Sequence, residues 1–310
     1  MSLVAYLFPG QGSQKVGMGR DFFEGSSLAR EIFGLADDIL GFKISQICFE
    51  GPEETLRLTP NTQPALLTVS TVAFKLLERP PDVAAGHSLG EYSALVAAGA
   101  LRFEDALRLV HKRGLYMQEA VPVGVGAMAA LVGASFDDVQ KAIGQAKKGV
   151  VEIANRNSQD QLVIAGHREA VEETLSLIKG TRFVMLPVSA PFHTSLMKSA
   201  EDKLAADLDA VEFSALDFPV ITNVDAKIIR QAEEARESLK RQVSRPVLWH
   251  DSMVKLGQEG VRTAVEVGPG KVLAGLMKRI SRDWPQLLTL INVEDQESLA
   301  KCKEILSGSA

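Results

Sequence analysis

One stretch of the chain carries the residue types of a serine nucleophile: Gly86-His87-Ser88-Leu89-Gly90, between an apolar run at 83–85 and an alanine-rich stretch at 92–98. A Gly-x-Ser-x-Gly turn from a strand into a helix exposes a serine hydroxyl in strained backbone geometry, where it can attack an acyl group. The backbone N–H of Leu89 and the positive end of the following helix would stabilise the negative charge that develops. The alternative is an ordinary strand-to-helix turn, and other residues must decide.

A serine nucleophile needs a general base. His193 follows the proline-containing segment 187–192, which we expect to form a stiff loop ahead of a helix running to about 209. We predict that His193 is the base; a solvated loop histidine is the alternative. His87 projects away from its neighbour Ser88 at a strand end. His111 is expected on the side of its helix opposite Arg113, and His167 and His250 are expected at the surface or at a helix cap. No acid between 88 and 193 has a persuasive strand-end position, so another group, such as a backbone carbonyl, must orient the imidazole.

Two other segments have residues suited to substrate binding. The glycine-rich loop 9–14 follows the first predicted strand and could lend a second backbone N–H to an oxyanion hole, although a plain turn is the alternative. The loop lacks the ending of a phosphate-binding P-loop, and Lys15 replaces the third glycine of a dinucleotide fingerprint. Arg113 lies beside the apolar face of a predicted helix at 103–120. Its planar guanidinium could bind a carboxylate through two oxygens; a solvent-directed or structurally paired arginine is the alternative.

The elements that must position these residues alternate between apolar strands and amphipathic helices. Strands are predicted at 4–8, 83–87, 219–223, 263–267 and 287–291. Helices are predicted at 27–40, 64–78, 231–243, 250–259 and 272–281, with Pro64 in the first turn of its helix. This alternation predicts a mostly parallel α/β sheet covered on both faces. Sites lie at the carboxyl ends of such strands, where Gln11, Ser88 and Asn223 are placed.

The pattern changes between about 127 and 187. The order there is strand, helix, strand, strand, helix, strand, which is the ferredoxin-like arrangement. We therefore predict an inserted βαββαβ subdomain at 124–188, and a discontinuous catalytic domain at 1–123 and 189–310.

Composition excludes several classes of protein. The 310 residues are 46% hydrophobic and 24% charged, which is typical of a globular protein with a sizeable core. A net charge of −5 with mixed signs along the chain argues against a basic surface for nucleic acid. No apolar run approaches the length of a membrane span. The only cysteines, Cys48 and Cys302, have no metal-ligand spacing and favour a reducing cytoplasm. We expect a cytoplasmic monomer without a metal site.

Six segments, in order through nearly the whole chain, resemble the malonyl-CoA:acyl carrier protein transacylases of fatty acid synthesis. They are Gly10-Gln11-Gly12-Ser13-Gln14, Gly86-His87-Ser88-Leu89-Gly90-Glu91, Arg113-Gly114 with Met117-Gln118, Asn155-x-Asn157-Ser158, Ser189-Ala190-Pro191-Phe192-His193 and Glu266-Val267-Gly268-Pro269-Gly270. The resemblance implies an α/β-hydrolase-like large domain with an inserted ferredoxin-like subdomain. It also implies two substrates, malonyl-CoA and the phosphopantetheine thiol of acyl carrier protein, and no cofactor.

The resemblance implies roles for individual residues. Ser88 is similar to the nucleophile of the family and His193 to its base, while the amides of Gln11 and Leu89 resemble the oxyanion hole. Arg113 resembles the clamp for the malonyl carboxylate. The resemblance implies roles for three further residues. The backbone carbonyl of Gln242 would orient the histidine. Phe192 is similar to the malonyl-selecting form of its loop, and Asn155 lies in a substrate-binding segment.

These residues predict a two-step acyl transfer through malonyl-Ser88. Because carrier proteins of this family are acidic, basic residues near the entrance are candidates for docking, namely Lys271, Lys278 and Arg279, whose spacing predicts one helical face. A solvated helix face is the alternative for these three. Two other functions stay open: a generic serine hydrolase, and a non-catalytic module that docks carrier protein. The sequence also leaves open whether the pathway makes fatty acids or polyketides.

Overall fold

The computed structural model describes residues 3–188 and 190–308; Ser189, in one of the resembling segments, lies outside the described residues. Ten strands are assigned: β1 Leu3–Phe8, β2 Val83–Gly86, β3 Gly126–Val132, β4 Val151–Ser158, β5 Gln161–His167, β6 Arg182–Met185, β7 Val220–Ile221, β8 Ile228–Ile229, β9 Val261–Val267 and β10 Thr289–Val293. The helices are α1 Arg20–Gly25, α2 Ser27–Leu40, α3 Ile44–Glu50, α4 Glu53–Arg57, α5 Thr59–Leu77, α6 Gly90–Ala97, α7 Phe103–Glu119, α8 Phe136–Gln145, α9 Arg168–Leu177, α10 Lys198–Asp209, α11 Ala232–Gln242, α12 Trp249–Gln258, α13 Val272–Ile280 and α14 Gln296–Gly308.

The larger sheet has six strands in the order β10-β9-β1-β2-β7-β8. All of its pairings are parallel except β7 with β8. Successive side chains of β1 point to opposite faces, so Tyr6 and Phe8 join one hydrophobic cluster while Ala5 and Leu7 join another. Burial on both faces explains why the strand reads as a continuous apolar run. The predicted α/β class with a mostly parallel sheet is confirmed.

The smaller sheet has four antiparallel strands in the order β4-β5-β3-β6. In the order of their own segment this is 2-3-1-4, the ferredoxin-like arrangement that the sequence predicts. Helices α8 and α9 cover one face and close an apolar core that includes Leu131, Val139, Ile164 and Val171. All of these elements fall between 126 and 185. The exact boundaries of the predicted subdomain at 124–188 remain a prediction.

The prediction for helix α5 was wrong at its start. The helix begins at Thr59, with Pro60 in its first turn, and Pro64 lies inside it rather than at its beginning. A proline inside a helix cannot donate to the carbonyl four residues earlier. Here the ring Nδ1 of His111 lies 2.9 Å from the Pro60 carbonyl oxygen and replaces that missing donor. Contact with another helix, which the local sequence does not reveal, therefore allows the proline.

Several short elements were also missing from the sequence prediction, because they are too brief to show a period: α1, α3, α4 and β8. The C-terminal helix α14 was missing too, although it buries Cys302 and Leu306. Lys271 precedes the first turn of α13 as its N-cap residue, so it lies outside the helix that carries Lys278 and Arg279. The predicted shared helical face of these three residues is wrong in that respect.

Candidate active site

Ser88 lies at the turn between β2 and α6, with a left-handed backbone angle φ of 52°. Such a conformation is strained for a residue with a Cβ atom. The flanking glycines are required by the close approach of the two elements. A Cβ atom on Gly86 would lie 1.9 Å from the Gly90 carbonyl, and one on Gly90 would lie 2.0 Å from the carbonyl oxygen of Phe8. The sequence pattern therefore forms the sharp elbow that it predicts.

The Ser88 hydroxyl is paired with His193. Ser88 Oγ lies 2.8 Å from His193 Nε2, and His193 Nδ1 lies 2.9 Å from the backbone carbonyl oxygen of Gln242. Because a carbonyl only accepts, Nδ1 carries the proton and Nε2 is free to accept one from the serine. Ser88, His193 and the Gln242 carbonyl are therefore connected in the same way as the serine, histidine and acid of a hydrolase triad, with the backbone carbonyl replacing the acid.

Burial and charge keep His193 neutral. The residue is only 4% exposed and has a φ of 62°. Burial, followed by the nearby charge of Arg113, lowers the pKa of His193 from 6.5 to about 3. The imidazole is therefore unprotonated at neutral pH, which is the form that a general base requires.

Arg113 lies inside the molecule, next to the serine. It is 1% exposed, and its Nη2 donates to Ser88 Oγ at 3.2 Å. Nη2 also donates to Gln242 Oε1 at 2.9 Å, and Nη1 donates to Gln63 Oε1 at 2.8 Å. All of these acceptors are uncharged, and Nε has no hydrogen-bond partner within the described chain. A buried guanidinium held this way is suited to a carboxylate ligand.

A buried polar network lies behind the elbow. Asn223 Oδ1 accepts from the Ser88 backbone N–H at 2.6 Å, and its Nδ2 donates to the Gly86 carbonyl at 2.7 Å. Glu91 accepts from the Asn223 backbone N–H at 2.9 Å. Asn223 was predicted at a strand end, whereas Glu91 and Gln63 had no predicted role. The one available signal for Glu91 was an acidic residue in an otherwise apolar helix.

Ser88 and His193 open onto a cavity of about 270 Å³ between the two sheets. Five other predicted site residues also line it: Gln11, Leu89, Arg113, Asn155 and Phe192. Residues of the smaller sheet form the opposite side, including Met128, Ala130 and Val163. The start of α13 closes one end through Val272, Leu273 and Leu276. The structure therefore brings these residues into one pocket, whereas Gln242 lies outside the lining and contacts His193 and Arg113.

The predicted docking residues lie outside this cavity lining. Lys271, Lys278 and Arg279 are exposed, on or next to the helix whose other face contacts the cavity. Lys271 forms a 3.7 Å ion pair with Glu294, and Arg279 donates to Gln161 Oε1 at 3.4 Å. Their position near the entrance is compatible with docking, and their role stays a prediction.

Three of the other histidines, His87, His111 and His167, have hydrogen-bond partners outside the Ser88–His193 pair. His87 also lines the cavity, but its Nε2 lies 2.9 Å from Asn157 Oδ1, and burial lowers its pKa. His167 Nδ1 accepts from the Val150 N–H, while His250 is half-buried in the first turn of α12.

Within residues 3–188 and 190–308, no group of three His, Cys, Asp or Glu side chains could hold a metal ion. In the same part of the chain, no helix has the length and apolar composition needed to cross a bilayer.

The sequence matches known proteins over nearly its whole length. Residues 5–301 match the acyl transferase domain family. Malonyl CoA-acyl carrier protein transacylase of Bacillus subtilis (strain 168) is 46% identical over 307 residues, which cover 96% of each chain. The protein of the same name from Escherichia coli (strain K12) is 46% identical over 288 residues, covering 90% of this chain and 93% of that one.

Solved structures show the same fold. Acyl-carrier-protein-S-malonyltransferase from Bartonella henselae superposes with a TM-score of 0.95 at 40% identity, covering 99% of this chain and 100% of that one. A malonyl-transacylase in complex with a type II PKS acyl-carrier protein superposes with a TM-score of 0.94 at 42% identity, covering 98% and 100%. The chain therefore belongs to the malonyl-CoA:acyl carrier protein transacylase family and is an acyltransferase.

Proposed function

We propose that this enzyme transfers the malonyl group of malonyl-CoA to the phosphopantetheine thiol of acyl carrier protein, through a malonyl ester on Ser88, in fatty acid biosynthesis. The names of its relatives support the reaction. The observation that carries the proposal is the position of Arg113, whose Nη2 lies 3.2 Å from the nucleophilic oxygen. Only one methylene separates the two carbonyl carbons of a malonyl group. Because the carboxylate of a malonyl group lies so close to the carbon that Ser88 attacks, the cation that binds it must lie close to Ser88 Oγ, as Arg113 does.

In the first step, Ser88 Oγ attacks the thioester carbon while its proton moves to His193 Nε2. The resulting oxyanion is held by the backbone N–H groups of Gln11 and Leu89, both of which line the cavity. The carbon–sulfur bond then breaks, and coenzyme A leaves as a thiol with the proton from His193. Between the attack of Ser88 and the departure of coenzyme A, His193 is an imidazolium, and the backbone carbonyl of Gln242 stabilises it.

In the second step, the carrier-protein thiol gives its proton to His193 and attacks malonyl-Ser88. The carbon–oxygen bond breaks, and Ser88 recovers its proton from the imidazolium. Both steps exchange an ester for a thioester or the reverse, so the proposed mechanism needs no cofactor. Asn155 and Phe192 contact the same cavity and would orient the acyl group and its pantetheine arm. Basic residues around the entrance, with Lys271, Lys278 and Arg279 as candidates, would bind the acidic carrier protein.

The reaction is tested by intact mass after brief mixing with malonyl-CoA and no carrier protein. We expect one malonyl adduct, which is slow to hydrolyse, is discharged by carrier protein and is absent from Ser88→Ala. Release of free malonate as fast as transfer to carrier protein would instead favour a serine hydrolase. Failure to form any adduct would favour the non-catalytic docking module.

The structural neighbour that binds a type II PKS acyl-carrier protein gives a second candidate pathway. Comparing the KM for carrier proteins of the two pathways separates them, and we expect the fatty acid carrier to have the lower value.

A further inference from the structure

Glu91 is a completely buried acid that the proposed acyl transfer does not use directly. Its Oε1 accepts from Ser238 Oγ at 3.0 Å, and its Oε2 accepts from the Asn223 N–H at 2.9 Å and from Gln242 Nε2 at 2.8 Å. The backbone N–H and the amide can only donate, so Oε2 must act as an acceptor in both bonds. Isolated buried carboxylates are costly, and a second group nearby should compensate this one.

Arg113 is the complementary case, a buried cation whose hydrogen-bond acceptors in the described chain are uncharged. One side chain joins the two charges. Gln242 Oε1 accepts from Arg113 Nη2 at 2.9 Å, and Gln242 Nε2 donates to Glu91 Oε2 at 2.8 Å. The second amide hydrogen goes to the Ser88 carbonyl at 3.0 Å. A single carboxamide therefore lies between the buried guanidinium and the buried carboxyl group.

The orientation of that carboxamide follows from its neighbours. Rotation by half a turn would set its oxygen against the Glu91 carboxylate and the Ser88 carbonyl, and its NH₂ group against the guanidinium. Each of those contacts would be repulsive. Glu91, the Ser88 carbonyl and the guanidinium together determine which end of Gln242 faces Arg113.

We propose that Glu91 is a positioning residue that makes the enzyme selective for malonyl groups: acting through the Gln242 carboxamide, it compensates the charge of Arg113 and orients its guanidinium without placing a second carboxylate against it. An acid in direct contact with Arg113 would also compensate the charge, but it would compete with the substrate carboxylate for the same N–H groups. An uncompensated arginine would be costly to bury. A carboxylate placed one amide away avoids both problems. This inference rests on the proposed function, because it concerns how the malonyl carboxylate is recognised.

The test compares the rates of Ser88 acylation by malonyl-CoA and by acetyl-CoA in Glu91→Gln, followed by intact mass. A glutamine at 91 removes the charge, while its amide oxygen can still accept from the Asn223 N–H and the Gln242 amide, so the substitution tests the compensation of the Arg113 charge. We expect the ratio of malonyl to acetyl rates to fall about ten- to hundredfold, the range of one hydrogen bond to a charged group. A folded Glu91→Gln variant that keeps the wild-type ratio would overturn the proposal.

The matched control is Glu266→Gln. Glu266 is also buried, at 1% exposure, but it accepts from the Leu273 and Ala274 N–H groups at the start of α13. We expect this control to keep the wild-type ratio, and an equal fall in the control would show a general effect of losing a buried acid and overturn the proposal.

A second variant covers the case in which Glu91→Gln does not fold. Gln242→Met removes the amide but keeps the backbone carbonyl that contacts His193, and we expect the same fall in ratio; an unchanged ratio would overturn the proposal. In an Arg113→Ala background, Glu91→Gln should change the ratio no further, and an additional fall would show that Glu91 acts elsewhere.

Wild-type enzyme that forms no malonyl adduct would refute the proposed function itself. An adduct with unchanged variant ratios would refute only the role of Glu91.

Discussion

One side of the cavity carries its charged and titrating groups, and the opposite side is uncharged. The charged wall consists of Ser88, Arg113 and His193, which come from the elbow, α7 and the loop before α10. The uncharged wall comes from the smaller sheet and its return to the large domain. It consists of apolar side chains and amides: Met128, Ala130, Asn155, Asn157, Gln161, Val163, Leu186 and Val188.

The difference separates two tasks. Atoms of the charged wall are held by several hydrogen bonds each, so small displacements there should change bond making and the recognition of a carboxylate. The uncharged wall limits the space and excludes water, and it tolerates changes that keep its shape. Substitutions on the two walls should therefore have effects of different kinds, which the following expectations test.

The largest effect is expected for the base. His193→Ala should lower malonyl transfer by about 10²- to 10⁴-fold, the usual contribution of a positioned general base. His87→Ala is the matched control, because His87 lines the same cavity but is bonded to Asn157. Steady-state rates with carrier protein measure both. An equal loss in a folded His87 variant would show that the base has been misassigned.

Arg113→Ala should produce the next largest effect, and a selective one. Malonyl acylation should fall about ten- to hundredfold through loss of a charge-assisted pair, while acetyl acylation stays the same or rises. Arg113→Lys should recover only part, since an ammonium cannot reproduce the planar fork. Rates with both thioesters give the comparison. Equal losses for malonyl and acetyl would make Arg113 a structural residue and place the clamp elsewhere.

Charge reversal on the exposed side of α13 should have a smaller effect, because these side chains lie outside the cavity and touch its uncharged wall only where Arg279 contacts Gln161 at 3.4 Å. Lys278→Glu combined with Arg279→Glu should raise the KM for carrier protein several-fold, more strongly at low salt, and leave acylation by malonyl-CoA unchanged. Lys303→Glu on α14, where the lysine pairs with Glu78, is the control. If the carrier KM does not change, docking takes place on another surface.

On the uncharged wall, Val163→Ala should change stability more than selectivity. Val163 is 4% exposed, and removal of two methyl groups should cost about 1.5 kcal/mol of the free energy of unfolding. The ratio of malonyl to acetyl rates should stay within about twofold, because no charged group moves. Denaturant unfolding and the two acylation rates measure these quantities. A large loss of malonyl selectivity would show that the uncharged wall also recognises the carboxylate.

The smallest effect is expected from mild acid. With the pKa of His193 near 3, kcat/KM should change by less than about twofold between pH 7 and pH 5, whereas an ordinary imidazole would cause a loss of more than about tenfold. Unfolded chains protonate this histidine near pH 6.5, so the free energy of unfolding should decline as the pH falls from about 6.5 towards 3. Rate and denaturant measurements over this range check both expectations. A steep loss of kcat/KM centred near pH 6.5 would contradict the buried, neutral base.

The sequence predicted well where one residue type has one structural consequence. The two glycines of the elbow are required by contacts under 2.1 Å, so the turn could be anticipated from the motif alone. The apolar runs likewise predicted both sheets, because a strand buried on both faces is continuously apolar, whereas a strand buried on one face alternates apolar and polar residues. Pro64 shows the limit of this reasoning, since the donor that compensates it comes from His111, on another helix.

The sequence by itself determined the elbow at Ser88, the α/β class and the strand order of the inserted segment, because these depend on local sterics and on the period of apolar residues. Only the tertiary structure decided that Gln242 lies between Arg113 and Glu91, with His193 on its backbone carbonyl. Those residues come from distant parts of the chain, and no spacing rule relates them. A buried charge takes its partner from whatever the fold brings near it, so that choice becomes visible only once the chain is folded.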